Sequence, residues 1–96
     1  MVTVWTPRAC AELKKAFKYI AVDSTTNAKK VISVLLGIAD KIAMQPEMFP
    51  PDKYKKSNDG SWRAFEKYRY RISYRITKDA IHIVRMRHTS QSPLYY

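Results

Sequence analysis

Arginine is the side chain with the clearest capacity for chemistry in this sequence, because its copies are unevenly placed. Six of the seven arginines lie between Arg63 and Arg87. A planar guanidinium binds phosphates and carboxylates through paired N–H donors. The net charge is +10, and residues 51–96 hold eleven of the basic and four of the acidic residues, a net +7. This balance indicates a polyanionic partner, either nucleic acid or an acidic protein segment.

Other reactive groups are scarce. The chain has one cysteine, Cys10, and two histidines, His82 and His88. A single cysteine forms no internal disulfide, and two histidines without matching carboxylate or cysteine spacing predict no metal site. No residue has the pattern of an activated nucleophile. We therefore expect no metal and no cofactor.

Length and hydropathy set the scale of the molecule. Ninety-six residues predict one domain over residues 1–96, near the lower end of what folds on a single core. No apolar run approaches the roughly 18–20 residues of a membrane span, and the first residues lack the apolar segment of a secretory signal. We expect a cytoplasmic protein without a membrane partner.

The first half of the chain predicts a short strand followed by two helices. Residues 2–5 alternate weakly, and Thr6-Pro7 is typical of a helix start. A polar run at residues 23–27 separates two helical apolar stripes, and the second ends before Pro46. The two stripes predict a helical hairpin. The stripes consist of Cys10, Leu13, Phe17 and Ile20, and of Ala28, Val31, Ile32, Leu35, Ala39 and Ile42.

The second half predicts strands. Three prolines forbid regular structure over residues 46–52, and Asn58-Asp59-Gly60 is a turn signal. Strands are expected at residues 62–67, 68–77 and 81–87, with a tight turn at Lys78-Asp79. The middle strand alternates tyrosine and isoleucine with arginine, serine and threonine, which is typical of a sheet with one buried and one wet face. The wet face carries Arg69, Arg71 and Arg75 and no acid.

The expected fold is therefore α+β, with element order β-α-α-β-β-β. A short N-terminal strand and a two-helix hairpin pack on a twisted antiparallel sheet of three or four strands.

The sequence resembles the RelE/ParE superfamily, the toxins of bacterial type II toxin–antitoxin systems. The resemblance rests on Trp5-Thr6-Pro7-Arg8-Ala9, two helices, a proline break, a strand with YRISYRI and a closing strand with IHIVRMRH. It covers nearly the whole chain by element order. It implies a cognate antitoxin with an acidic, largely disordered segment that folds on binding.

The superfamily divides by target. RelE-like members cleave messenger RNA on the ribosome, and ParE-like members poison DNA gyrase without nuclease chemistry. The N-terminal segment, the long hairpin and His88 resemble the ParE side, whereas the basic sheet and the tyrosine-bearing tail resemble the RelE side. A non-toxic nucleic-acid-binding domain is a third alternative. Charge placement favours the ribosome-dependent endoribonuclease over the other two.

The RelE-like alternative implies a set of candidate residues. RNA cleavage by a 2′-hydroxyl needs a proton acceptor, a proton donor and cations for the developing charge. The matching catalytic positions are Arg63, Arg87, His88 and Tyr95, with Tyr96 as a second candidate for the phenol. The matching RNA-binding positions are Lys53, Lys55, Lys56 and Arg85. Ser92-Pro93 departs from the RelE pattern between the basic cluster and the tail tyrosine.

The arginine face suggests where an acidic antitoxin would bind. Arg69, Arg71 and Arg75 alternate along one predicted strand, and guanidinium groups pair well with carboxylates. Attraction between a +10 protein and an acidic segment acts over a long range and weakens with salt. We expect the antitoxin to cover these arginines or the helical hairpin.

Overall fold

A computed structural model of the chain describes residues 1–92 and 94–96. Pro93, part of the Ser92-Pro93 departure, lies outside the described residues. The elements follow the predicted order. They are β1 (Val2–Trp5), α1 (Pro7–Ala21), α2 (Thr25–Met44), β2 (Trp62–Lys67), β3 (Tyr70–Ile76) and β4 (Ala80–His88).

Local capping defines the helical hairpin. The Thr6 hydroxyl accepts a hydrogen bond from the Ala9 amide at 3.2 Å, and Pro7 opens α1 where its missing N–H costs nothing. The Ser24 hydroxyl accepts from the Asn27 amide at 3.0 Å at the start of α2. In α1 it is the small residues Ala9 and Ala16 that are buried, so the predicted stripe on this helix is only half-buried.

The sheet has the strand order β1-β4-β3-β2. The pairs β2–β3 and β3–β4 are antiparallel, as expected, but β1 runs parallel to β4, which makes the sheet mixed. The helical hairpin forms the crossover that a parallel pair requires. Both helices contact the sheet, and the core between the layers includes Leu35, Ile42, Ile72 and Tyr74. The predicted α+β fold is confirmed.

The turn between β2 and β3 differs from the expectation. Tyr68 and Arg69 have positive φ angles of 54° and 67° and form the loop of a two-residue hairpin, so the predicted strand over residues 68–77 begins only at Tyr70. Such turns favour Asn, Asp or Gly at these positions, and this sequence has none there. The Asn58-Asp59-Gly60 turn is confirmed, with Gly60 at φ 94°.

A bulge in β4 changes which residues share a face. Ser73 pairs with Arg85, but the next residue, Tyr74, pairs with Ile83, so Val84 is the extra residue in β4. Strict alternation predicts Ile83 and Arg85 on the same face. The bulge instead leaves Ile83 in the core and turns Arg85 to the opposite face of the sheet.

Candidate functional site

The sheet face away from the helices carries the candidate arginines Arg71, Arg75, Arg85 and Arg87, and we call it the open face. Directly paired residues on adjacent antiparallel strands share a face, so the register defines its members. Ser73 pairs with Ala64 and Arg85, which places one row of the face across three strands. Its members on the paired positions of β2, β3 and β4 are Trp62, Ala64, Glu66, Arg71, Ser73, Arg75, His82, Arg85 and Arg87.

A buried aspartate is the centre of hydrogen bonding on the open face. Asp52 is 2% exposed, and both of its carboxylate oxygens have two donors. Oδ1 accepts from Arg71 Nη2 at 2.8 Å and from the Tyr54 amide at 3.0 Å. Oδ2 accepts from the Ser73 hydroxyl at 2.9 Å and the Tyr96 hydroxyl at 2.5 Å. Four donors compensate for the loss of water around this charge.

The loop that carries Asp52 is fixed to the edge of the sheet. The Asp52 amide donates to the Trp62 carbonyl at 2.8 Å, and Asn58 Nδ2 donates to the same carbonyl at 2.8 Å. The prolines at residues 50 and 51 prevent a regular strand, but Pro51 still forms a bridge opposite Arg63. The loop therefore presents Asp52 to β3 in one defined position.

The end of the tail is held against the same loop. The Tyr96 amide donates to the Tyr54 carbonyl at 3.0 Å, and the Lys56 amide donates to the Tyr96 carbonyl at 2.6 Å. The Tyr96 side chain reaches Asp52 from this position. The tail therefore closes one side of the open face through backbone pairing as well as through its phenol.

The pKa of Asp52 is lowered from its ordinary value, and the pKa of Tyr96 is raised. Burial alone would raise the pKa of Asp52, but hydrogen bonds from Tyr96, Arg71, the Tyr54 amide and Ser73 outweigh burial and hold it below its usual range. Burial, together with the hydrogen bond to Asp52, raises the pKa of Tyr96 to about 12. At neutral pH the pair is a carboxylate and a neutral phenol.

Tyr96→Phe should make the protein less sensitive to alkaline pH. A phenol whose pKa is raised from 10.0 to about 12 favours the folded state below pH 10. That contribution is lost as pH rises from about 10 to 12, because the unfolded phenol ionises first. Urea unfolding between pH 8 and 12 should show wild type approaching the variant at high pH. An equal difference at every pH would contradict the role given to this phenol, and Tyr95→Phe is the matched control.

Aromatic rings and cations alternate across the open face. Arg71 lies over the Tyr54 ring at 4.7 Å, Arg75 over Trp62 at 5.0 Å and Arg85 over Tyr96 at 4.6 Å. Significant cation–π contacts occur roughly once per 70–80 residues, so three on one face of a small domain are unusual. The rings hold the guanidinium groups in place without neutralising their charge.

The predicted catalytic residues do not surround one face of the sheet. Arg63 pairs with the buried Tyr74 and lies on the helix side, where its Nη1 donates to the Phe49 carbonyl at 2.8 Å. His88 pairs with Tyr70, also on the helix side, and Arg87 lies on the open face. The β3 partners of His88 and Arg63 are Tyr70 and Tyr74, which are four residues apart. At strand geometry this spacing separates the two candidate positions by roughly 13 Å along the sheet. Arg63 therefore lies on the other side of the sheet from Arg87, the other predicted catalytic arginine.

Of the two tail tyrosines, the structure places Tyr96 and not Tyr95 in the polar cluster around Asp52. Tyr95 is 64% exposed, and its ring packs edge-on against Tyr54 with centroids 5.4 Å apart. Tyr96, the second candidate, is the phenol that enters the polar cluster. His88 lies at the end of β4 and also lines the cleft beside the tail, with Nδ1 2.7 Å from the Ser90 hydroxyl.

The predicted RNA-binding residues lie close to the tail. Lys55 lies over the rings of Trp62 and Tyr96 at 4.9 and 5.5 Å, and Arg85 lies over the same Tyr96 ring. Lys53 and Lys56 are exposed on the loop beside them. The loop and the end of β4 thus form one basic border of the open face.

The three predicted antitoxin-binding arginines have different surroundings. Arg69 is exposed in the β2–β3 turn, and Arg75 is exposed on β3. Arg71 is paired with Asp52 at 2.8 Å and with Glu66 at 2.9 Å, so it is not part of a solvated row without acids. That expectation is wrong for Arg71, because both acids come from other segments of the chain.

Sequence reasoning missed Asp52, and a signal for it existed. Asp52 is an isolated acid that follows two prolines and precedes the lysines of the loop, and the predicted strands carry arginines that would need an acidic partner if buried.

Over residues 1–92 and 94–96, no group of three or more His, Cys, Asp or Glu side chains is arranged to hold a metal ion. The described helices include none with the length and apolarity to cross a membrane.

Comparison with known proteins identifies the family. A family model described as "ParE toxin of type II toxin-antitoxin system, parDE" matches residues 3–93. The chain belongs to the ParE toxin family. A solved structure titled "Chromosomal ParDE TA system from P. aeruginosa" matches this ParE-family chain with a TM-score of 0.70 at 17% identity, covering 92% of this chain and 95% of that one. At this identity the likeness shows the shared fold. No curated protein matches the sequence.

Membership in the ParE family confirms the predicted superfamily and the predicted toxin class. It also implies a cognate antitoxin as partner. The ParE match over residues 3–93 includes both the hairpin and the basic sheet. The RelE-like features of the sheet therefore occur here within a ParE toxin.

Proposed function

We propose that this toxin acts by binding to DNA gyrase and not by cleaving RNA. ParE-like members of the superfamily have this target, and the family match supports assigning it here. The observation that carries the proposal is the position of Arg63, which lies on the helix side of the sheet, away from the cleft that Arg87 and His88 line. General acid–base catalysis requires its groups within hydrogen-bond reach of the reacting atoms.

The open face supplies poor groups for proton transfer. Its acid and its phenol, Asp52 and Tyr96, are hydrogen-bonded to each other at 2.5 Å. Burial and this hydrogen bond raise the pKa of Tyr96 to about 12, and hydrogen bonds keep the pKa of Asp52 low, so neither group exchanges a proton readily near neutral pH. Arg63 pairs with Tyr74 on the helix side of the sheet and does not line the cleft that contains Arg87. This arrangement supports a binding surface.

The endoribonuclease hypothesis is the second candidate, and one observation favours it. Arg85, Arg87 and His88 line the same cleft at the end of β4. Cations in such a cleft suit a phosphate backbone. The hypothesis requires a proton acceptor, and the imidazole of His88 is the group in the cleft that would serve as one.

We further propose that an acidic antitoxin neutralises the toxin from the exposed arginines or the hairpin. The net charge of +10 supports this partner, since opposite charge speeds encounter between proteins. The toxin would act in the cytoplasm, where gyrase and ribosomes both occur.

Induced expression without antitoxin tests the proposed target. We expect growth arrest with DNA damage, while primer extension on abundant messages shows no cuts within translated regions. His88→Ala should retain the toxicity of the wild type, because a binding toxin does not need this imidazole as a base. Its folding should be checked by circular dichroism. Translation-dependent cuts that disappear in His88→Ala would establish the nuclease instead.

A further inference from the structure

We propose that the cleft between Arg71 and Arg87 is a binding site for a phosphate group. Arg71 on β3 and Arg87 on β4 are directly paired across the two strands. The cleft also contains Arg85, His88 and Gln91. The site goes beyond the proposed function, because its chemistry depends on neither gyrase nor an antitoxin.

Two buried donors in this cleft have no acceptor. Arg71 Nε and Arg87 Nη1 are the buried side-chain nitrogens and oxygens without a hydrogen-bond partner among the described residues. Buried polar atoms in native proteins almost always have a partner, so a native pair of unsatisfied donors needs an explanation. Both come from facing arginines, which suggests one acceptor that serves the two.

The charges in the cleft are unbalanced. Asp52 and Glu66 are its acids, and both are ion-paired with Arg71. Arg85 and Arg87 instead donate to tail carbonyls, those of Leu94 and Ser92 respectively. Arg85 and Arg87 lie two residues apart on the same face of β4, and their like charges repel each other. An anion bound in the cleft would reduce this repulsion.

The titration of Arg85 agrees with an excess of positive charge. Burial lowers the pKa of Arg85, and the nearby charges of Arg8 and Arg87 lower it further. Arg85 is 6% exposed, so solvent screens this repulsion weakly. A bound anion would return the pKa of Arg85 towards its ordinary value.

The free donors favour phosphate over carboxylate. A carboxylate binds best to two parallel N–H groups of one guanidinium. In Arg71 both Nη atoms already serve Glu66 and Asp52, and in Arg87 Nη2 already serves Ser92. Each arginine has one buried nitrogen without an acceptor, Nε of Arg71 and Nη1 of Arg87, and the two come from different strands. A tetrahedral anion has diverging oxygens and can accept both.

The cleft has room for such an ion. Its volume is about 50 Å³, and on the same measure one water molecule needs about 10–15 Å³. Thr89 and Gln91 lie at its border and are exposed. A phosphate can therefore enter from the solvent side, either as the free ion or as the terminal group of a nucleotide.

Calorimetric titration of the full chain with sodium phosphate tests the site. Ionic strength is held constant with sodium chloride, and acetate and a 5′-mononucleotide are titrated in parallel. We expect saturable binding of one phosphate per chain, at least tenfold weaker binding of acetate, and at least tenfold weaker phosphate binding by Arg87→Gln. Arg75→Gln, which removes an arginine of the same face outside the cleft, should bind phosphate as wild type does.

The parallel titrations also identify the source of the phosphate group. Equal or tighter binding of the mononucleotide assigns the site to a nucleotide, and binding of inorganic phosphate alone assigns it to the free ion. Absence of saturable binding, equal binding of acetate, or equal losses in both arginine variants would overturn the proposal.

A measurement on the unaltered chain covers the case that Arg87→Gln fails to fold. NMR of the arginine Nε–H groups should show the Arg71 signal shifting on phosphate addition, while that of Arg75 stays in place. Identical small shifts in both signals would mean an adventitious ion only, and would also overturn the proposal.

Discussion

Asp52→Ala is expected to destabilise the toxin by about 3–5 kcal/mol, the cost of removing one partner of a buried ion pair. The substitution leaves Arg71 without the acid at 2.8 Å, and it removes the acceptor of the Ser73 and Tyr96 hydroxyls. For a domain of about 100 residues, such a loss lowers the melting temperature by more than about 10 °C. Thermal and urea unfolding measure it directly.

Asp79→Ala is the matched control for this prediction. Asp79 is exposed in the turn before β4, and a surface aspartate without buried partners should change stability by less than about 0.5 kcal/mol. Acid should reproduce the Asp52 effect in the wild type. Because hydrogen bonds lower the folded-state pKa of Asp52, its contribution is present above about pH 4 and is lost as pH falls through the folded pKa. Equal stability of Asp52→Ala and Asp79→Ala would contradict the role given to Asp52 as the centre of hydrogen bonding on the open face.

Charge reversal at Arg69 and Arg75 is expected to weaken antitoxin binding by about 100-fold, because juxtaposed like charges cost several kcal/mol at an interface. Both side chains are exposed and have no ion pair with a described residue. The double variant Arg69→Glu, Arg75→Glu should therefore fold. Surface plasmon resonance at several salt concentrations measures the affinity and its salt dependence.

The helical hairpin is the other surface expected to receive the antitoxin, and it provides the comparison. Lys29→Glu with Lys30→Glu makes the same change of charge on the exposed side of α2. A loss of affinity confined to this second pair would move the antitoxin to the hairpin. Equal, small losses in both variants would indicate that only the net charge matters and would contradict a specific arginine contact.

The fold was predictable because its signals are local. Helix caps at Thr6 and Ser24 and the change from helical to alternating periodicity give the element order. Two of the differences between the expected and the observed fold arise where a local signal is absent. Tyr68 and Arg69 form a positive-φ turn without the usual residues, and the bulge at Val84 has no sequence mark.

The site was less predictable, because its organisation depends on contacts between distant segments. Asp52 meets Ser73 and Tyr96, which lie 21 and 44 residues further along the chain. Strict alternation predicts Arg85 and Ile83 on the same face of β4, whereas the bulge at Val84 puts them on opposite faces. The register also moved Arg63 to the helix side, away from Arg87. Spacing in the sequence identifies the residue types of such a site but not their partners.

A supercoiling assay with purified DNA gyrase tests the central claim most directly. We expect the purified toxin to inhibit supercoiling, His88→Ala to inhibit it equally, and an excess of antitoxin to restore it. Translating ribosomes treated with the same toxin should keep their messenger RNA intact. Unaffected gyrase together with messages cut on the ribosome would contradict the account and assign the toxin to RNA cleavage.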